Sequence, residues 1–81
     1  MKITILGGGG FLGRKIAHRL ANEGTLGGKP VTGLTLFDLV EPPSVAAPFP
    51  VACVAGDIVD LPPSAIPTGT DVVFHLAAVV S

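Results

Sequence analysis

The sequence predicts an α/β fold with a parallel sheet of about four strands and one main helix. Two observations carry this prediction. Short apolar segments alternate along the chain with helical or loop segments. The first apolar segment also runs directly into a glycine cluster and then a helical pattern, as in a strand–turn–helix unit. With right-handed crossovers, the four predicted strands, numbered in chain order, take the spatial order 3-2-1-4.

The first strand is predicted over Lys2–Leu6 and the main helix over Phe11–Glu23. Spacings of four and five residues place the apolar positions of the helix on one stripe. They are Leu12, Ile16, Ala17, Leu20 and Ala21, and the other face mostly carries Arg14, Lys15, Arg19 and Asn22. Gly24 follows as a natural helix stop.

The other three strands are predicted over residues 34–37, 51–55 and 71–76. Residues 24–33 are expected to form a glycine-rich loop, longer than most connections in α/β units. A proline-rich loop precedes the third strand. The segment 57–70 contains Pro62, Pro63 and Pro67, so at most a short helix fits there, which Asp60 can cap.

Composition bounds both size and partners. The chain has 81 residues, 48% of them hydrophobic, and a mean hydropathy of +0.68. A chain of this length buries only about 60–65% of its unfolded surface, which leaves a large surface that should be polar. A composition this hydrophobic therefore favours a segment from the interior of a larger protein. The net charge of −1 offers no basic patch for nucleic acid and no polybasic run for a membrane surface.

The single cysteine, Cys53, forms no internal disulfide and stands in an apolar segment. We expect a buried thiol in a reducing compartment, with a reactive thiol as the alternative. The sequence shows no signal-peptide pattern and no apolar run long enough to span a bilayer. The predicted location is therefore the cytoplasm.

The motif Gly7-x-x-Gly10-x-x-Gly13 is the strongest functional signal. The first glycine permits a tight turn, the second lets the backbone approach a pyrophosphate, and the third lets helix and strand pack closely. The motif predicts the dinucleotide-binding turn of a Rossmann fold, although glycine turns also serve purely structural purposes. A phosphate loop of the NTPase type would need Gly-Lys-Ser/Thr, where this chain has Gly13-Arg14-Lys15-Ile16.

Asp38 ends the second predicted strand, 25 residues after Gly13. An acidic ribose ligand is expected there at a spacing of about 20, and the long loop before the strand accounts for the excess. A carboxylate accepts hydrogen bonds from ribose hydroxyls and repels a 2′-phosphate, so NAD is predicted and NADP disfavoured. Two alternatives are that Asp38 only caps a turn, and that Arg14 contacts a 2′-phosphate.

Four motifs occur in an order that resembles the extended short-chain dehydrogenase/reductase family of NAD-dependent epimerases and dehydratases. They are Gly7-Gly8-Gly9-Gly10-Phe11-Leu12-Gly13, Asp38, Gly56-Asp57-Ile58 and His75-Leu76-Ala77-Ala78. The long first crossover, residues 36–43 and residues 75–81 are similar to one branch, the D-erythronate dehydrogenase-like proteins, often labelled nucleoside-diphosphate-sugar epimerases. Family members usually have Thr before the first glycine, where this chain has Leu6.

The resemblance implies a set of cofactor-binding residues. The pyrophosphate would lie on Gly7, Gly10 and Gly13 with Phe11 and Leu12, and Asp38 would hold the adenosine ribose. Asp57 and Ile58 would flank the adenine. Leu76, Ala77 and Ala78 would line the cofactor beyond the fourth strand, and Ser81 would approach the nicotinamide ribose side. Structural alternatives remain open, since Asp57 can simply start a turn and His75 is more simply a strand-end residue than a catalytic one.

The chemistry of the family uses a Tyr-x-x-x-Lys pair, and this sequence contains no Tyr. We therefore expect residues 1–81 to be the amino-terminal part of an NAD(P)-binding Rossmann domain, without the catalytic and substrate segments. The parent would be a dehydrogenase or epimerase acting on a sugar acid or a nucleotide-sugar. The alternative is a non-catalytic dinucleotide-sensing module. If the sheet ends at its fourth strand, an open apolar edge predicts self-association.

Overall fold

The computed structural model describes residues 1–60, 62 and 65–76. One helix and six strands are assigned within them. In chain order the elements are β1 (Lys2–Leu6), α1 (Phe11–Glu23), β2 (Thr25–Leu26), β3 (Lys29–Pro30), β4 (Gly33–Asp38), β5 (Val51–Ala55), a 3-10 turn (Ile58–Asp60) and β6 (Val72–His75).

Four of the strands form one parallel sheet in the order β5-β4-β1-β6. This is the predicted order 3-2-1-4, and the predicted α/β class with one main helix is confirmed. β1 lies in the interior, with Ile5 opposite Leu36 on one side and Phe74 on the other. A strand flanked on both sides has no solvated edge, and four of its five residues are buried.

Helix α1 packs on one face of the sheet. Side chains alternate between faces along a strand, so Ile3 and Ile5 of β1 and Leu34 and Leu36 of β4 point to the same side. They form a buried cluster with Ala17 and Leu20 of α1, Val31 and Phe49. The predicted apolar stripe is wrong at its first position, because Leu12 is 54% exposed and Gly13 is the buried residue of that turn.

The opposite face has a smaller core, made by Leu6, Phe37 and Ala65 with Val54 and Ile58 beside them. Thr4 lies on this face and is fully buried. The Thr70 hydroxyl donates to the Pro67 carbonyl at 2.7 Å, so the Thr4 hydroxyl donates to Thr70 Oγ1 at 3.4 Å. This pair attaches the segment before β6 to the middle of the sheet without leaving a buried polar atom unpaired.

The predicted glycine-rich loop over residues 24–33 contains a hairpin that the sequence analysis missed. β2 and β3 pair antiparallel, with Thr25 opposite Pro30. The two residues of its turn, Gly27 and Gly28, have φ values of 58° and 81°. Positive φ at both central positions is the tight hairpin turn for which Gly-Gly is suited, so that dipeptide was the overlooked signal.

Two smaller predictions also need correction. The 3-10 turn Ile58–Asp60, capped by the Asp57 carboxylate, precedes the short helix that Asp60 was expected to cap, and residues 61, 63 and 64 of that helix lie outside the described residues. β4 begins one residue earlier than predicted, at Gly33, and β6 is two residues shorter than predicted. Cys53 is half-buried at the margin of the α1-face core rather than fully enclosed.

Within the described part of the chain, no helix has the length and apolarity needed to cross a membrane.

We predict that Leu36→Ala lowers the free energy of unfolding by about 2–5 kcal/mol, because it removes a fully buried side chain under α1. Leu39→Ala is the matched control, since Leu39 is 70% exposed, and it should change stability by less than about 0.5 kcal/mol. Urea unfolding followed by circular dichroism measures both. Equal effects of the two substitutions would contradict the assigned core.

We predict that residues 1–81 expressed alone self-associate through β6. This strand pairs only with β1 within the described residues, and Val73 is 42% exposed on it. Val73→Lys should lower the association because a charge on an edge strand opposes strand pairing. Val59→Lys, at a 72% exposed position away from the edge, is the control. Light scattering over a concentration series decides, and a constant monomer mass for the unchanged chain would overturn the prediction.

Candidate functional site

The candidate site begins where β1 ends in the glycine turn. Gly7 has φ 94°, a left-handed conformation that other residues rarely adopt. The N–H groups of Gly7 and Gly8 both donate to the Phe37 carbonyl, at 2.7 and 2.9 Å. The turn is thus fixed by main-chain bonds to the end of β4. Leu6, which stands where Thr is usual, is buried in the core and is not needed to hold the turn.

The helix begins unusually close to this turn. A Cβ on Gly13 would lie 2.2 Å from the Gly7 carbonyl oxygen and 2.9 Å from Gly8 Cα. Both neighbours are main-chain atoms, so no side-chain movement can relieve such a clash. Any larger residue at position 13 must therefore push the first turn of α1 away from β1.

Gly10 is the N-cap of α1, with extended backbone angles and no side-chain cap. Its own N–H donates to Gly7 O, and its carbonyl accepts from the Arg14 N–H. Within the described residues, the N–H groups of Phe11, Leu12 and Gly13 have no hydrogen-bond acceptor. A Cβ on Gly10 would meet only Gly7 O, at 3.5 Å. The absence of a side chain at Gly10 therefore leaves space in front of three free helix N–H groups.

The electrostatics of this helix end favour an anion. The first turn of α1 carries no acidic residue, and Arg14 and Lys15 follow it directly. Cations near the positive end of a helix dipole are unfavourable. A bound anion there would interact favourably both with the helix dipole and with these cationic side chains. Lys15 Nζ lies 5.1 Å from the centre of the exposed Phe11 ring. Gly9, Phe11, Arg14 and Lys15 line one end of an open groove of about 940 Å³ along α1.

Asp38, the last residue of β4, lies beside the glycine turn. Its Oδ2 accepts from the Gly9 N–H at 2.9 Å, and its Oδ1 accepts from the Leu39 N–H at 2.7 Å. The structure thus brings Asp38 together with the predicted glycines. Gly9 was missed as a site residue, and the extra glycines at positions 8 and 9 were the available signal. A Cβ on Gly9 would lie 3.0 Å from Asp38 Oδ2.

Asp57 and Ile58 follow β5 at the same edge of the sheet, where the Gly56 N–H donates to the Asp38 carbonyl at 2.9 Å. Asp57 is exposed, and its Oδ1 accepts from the Val59 N–H at 2.9 Å. In this conformation Asp57 therefore starts a turn, as the structural alternative for this residue expected. Ile58 is half-buried against the Leu6 and Phe37 cluster.

The fourth predicted segment is described only at its start. His75 ends β6 with an exposed side chain, and the Leu76 N–H donates to the Leu6 carbonyl at 2.8 Å. Leu76 packs partly buried against the α1-face core. Ala77, Ala78 and Ser81 lie outside the described residues, so their predicted contacts remain predictions.

The chain order places these features at a single crevice. From β1 the chain crosses to β4 and β5 on one side, and then returns to β6 on the other side. The carboxyl ends of β1 and β6 therefore flank a topological switch point, where open parallel sheets bind ligands. The glycine turn and Asp38 lie at this edge. Among the described residues, no group of three or more His, Cys, Asp or Glu side chains is placed to hold a metal ion.

Comparison with known proteins agrees with the resemblance seen in the sequence. No family model matches the chain. A D-erythronate dehydrogenase from Cupriavidus necator is 46% identical over 87 residues, a match that covers all of this chain and 26% of that protein. The crystal structure of a nucleoside-diphosphate-sugar epimerase from Agrobacterium tumefaciens superposes with a TM-score of 0.86 at 41% identity. It is matched over all of this chain and 25% of its own length.

The predicted likeness to these dehydrogenase and epimerase proteins is therefore confirmed, as is the Rossmann-like fold. The chain spans about a quarter of the length of each relative. A TM-score of 0.86 over the whole chain shows that the fold of the described residues is shared with this epimerase.

We predict that Gly13→Ala destabilises the fold by about 1–3 kcal/mol or more, because the added Cβ would overlap the Gly7 carbonyl. Gly10→Ala is the matched control, since its Cβ would make only an ordinary contact at 3.5 Å. Urea unfolding measures both variants. A Gly13→Ala protein as stable as the Gly10→Ala protein would show that α1 does not lie this close to β1.

Proposed function

We propose that this chain is the NAD-binding part of an oxidoreductase or epimerase that acts on a sugar acid or a nucleotide-sugar. The observation that carries the proposal is the juxtaposition of two features at the switch point. The free N–H groups at the N-terminus of α1 face open space beside Gly10, and the Asp38 carboxylate lies at the end of the neighbouring strand β4. A dinucleotide offers one group for each, a pyrophosphate and a ribose diol.

The pyrophosphate would lie over Gly10 against the N–H groups of Phe11, Leu12 and Gly13. The fit rests on the space at Gly10 and on the absence of an acid in the first turn. Gly7 serves the site indirectly by shaping the turn, and Gly13, besides offering its N–H, sets the height of the helix above the turn.

The adenosine half would lie toward β4 and β5. The Asp38 carboxylate would accept from the ribose hydroxyls and would repel a 2′-phosphate, so NAD is preferred to NADP. Asp57 has a second carboxylate oxygen available for the adenine amine, while its first holds the turn. Ile58 would contact the ring from the same turn. Leu76, Ala77, Ala78 and Ser81 would follow the cofactor beyond β6.

The substrate class follows from the relatives named above, a D-erythronate dehydrogenase and a nucleoside-diphosphate-sugar epimerase. Bound NAD supplies a hydride acceptor for the substrate carbon. The residues of this chain would hold and orient the cofactor. A general base must also take the proton from the substrate hydroxyl; in the family this base is Tyr, and the 81 residues contain none. We therefore place proton transfer in a part of the parent protein beyond these residues, in a cytoplasmic enzyme.

A second candidate is a dinucleotide-binding module without catalysis, favoured by the absence of Tyr from the sequence. The two candidates share the binding site and differ in turnover. If the complete natural protein carries Tyr-x-x-x-Lys and forms NADH from NAD and a sugar acid such as D-erythronate, it is a dehydrogenase. Epimerisation of a nucleotide-sugar without net NADH would select the epimerase, and NAD binding with neither reaction would select the module.

We predict that the complete natural protein binds NAD and that Gly10→Ala weakens this binding about tenfold or more, because its methyl group would stand between backbone and phosphate. Gly33→Ala is the control, because its Cβ would make only a 3.8 Å contact at the other end of the sheet. Isothermal titration calorimetry measures NAD affinity, and urea unfolding confirms that both variants are folded. Equal affinity in the two variants would contradict the placement of the pyrophosphate.

A further inference from the structure

Three consecutive glycine N–H groups are held by the last two residues of β4. Gly7 and Gly8 donate to the Phe37 carbonyl, and Gly9 donates to the Asp38 carboxylate. The first two bonds use main-chain atoms and persist whatever the side chains are. The third depends on the side chain of Asp38. Within the glycine turn, Gly9 is therefore the point where loop geometry depends on a side chain from another element.

We propose that Asp38 is a positioning residue for the phosphate-binding turn in addition to its proposed ribose contact, so that it contributes to pyrophosphate affinity through Gly9. This inference rests on the proposed function. It assigns to one carboxylate both the recognition of a ribose and the placement of the backbone that meets the phosphates.

The geometry allows both roles at once. Each carboxylate oxygen has two lone pairs, and Asp38 uses one on each oxygen, for Gly9 and for Leu39. One acceptor position on each oxygen is left for a ribose hydroxyl. Hydrogen bonds to a charged acceptor are stronger than neutral ones, so the carboxylate is the strongest side-chain anchor of the turn.

The position of Gly9 explains how a change at Asp38 would alter the binding of the phosphates. Gly9 directly precedes the N-cap Gly10, so a displacement of its peptide moves the first residues of α1 that offer free N–H groups. A Cβ at Gly9 would also lie 3.0 Å from Asp38 Oδ2, which shows how closely the main chain approaches the carboxylate. The contact is half-buried and so is partly protected from competing water.

The simpler view, in which Asp38 serves only as a ribose acceptor, makes a different prediction. Under that view, Asp38→Ala weakens a ligand with adenosine ribose hydroxyls and leaves an otherwise identical ligand without them unaffected. If Asp38 positions the turn, the substitution weakens both ligands.

The first experiment follows amide hydrogen exchange by NMR in the complete natural protein without ligand. Asp38→Ala should raise the exchange rate of the Gly9 amide about fivefold or more and leave the Gly8 amide, held by Phe37, unchanged. Asp60→Ala is the matched control, because Asp60 is exposed and its carboxylate has no hydrogen bond within the described residues. An unchanged Gly9 rate in a folded Asp38→Ala protein would overturn the proposal.

The second experiment compares NAD with its analogue lacking both hydroxyls of the adenosine ribose. Asp38→Ala should bind the analogue about fivefold more weakly than the unaltered protein does, and Asp38→Asn, which keeps one acceptor oxygen, should recover part of the loss. Unchanged analogue affinity in both variants would overturn the positioning role. If the unaltered protein binds neither ligand, the proposed function fails, and the Gly9 exchange rate still decides whether Asp38 anchors the turn.

Discussion

The close approach of α1 to the end of β1 is the constraint on which the rest of this structure depends. Gly13 stands where any Cβ would overlap the Gly7 carbonyl, so helix and strand are joined at main-chain distance. This contact sets the height of the helix above the sheet and brings Ala17 and Leu20 onto Ile3 and Ile5. The same contact carries the helix N-terminus to the edge of the sheet where Asp38 lies. The packing of the core and the geometry of the candidate site thus both follow from this one contact.

The amino end of α1 departs from what stability alone would select. A side-chain cap and an acidic first turn would each stabilise a helix, and this helix has neither. Arg14 and Lys15 add positive charge at the end that already carries the positive pole of the helix dipole. Each departure is unfavourable in the free protein and becomes favourable once an anion occupies the space above Gly10. Local rules broken together in this way are typical of binding sites.

Much of this architecture could be predicted from the sequence because it depends on patterns within single segments. The bounds of β1 and α1, the strand order and the proximity of Asp38 to the glycines followed from apolar spacing, chain order and one motif. The errors arose where neighbours decide the outcome. Leu12 fits the helical stripe by spacing, but Gly13 takes the buried position of that turn and Leu12 is exposed. Gly9 was missed because its partner, Asp38, lies 29 positions away in the sequence.

β1 pairs with β4, which begins 31 positions after it, and with β6, which begins 70 positions after it. β1 thus depends for its second neighbour on a strand that is synthesised much later. At a synthesis rate of roughly 5–20 residues per second, β1 waits on the order of 4–14 seconds for β6 to follow it. During that interval, the edge of an apolar strand is available to other chains in the cell. A strand placed in the interior of a sheet, with one neighbour close in the sequence and the other distant, thus has an open edge for longer during synthesis.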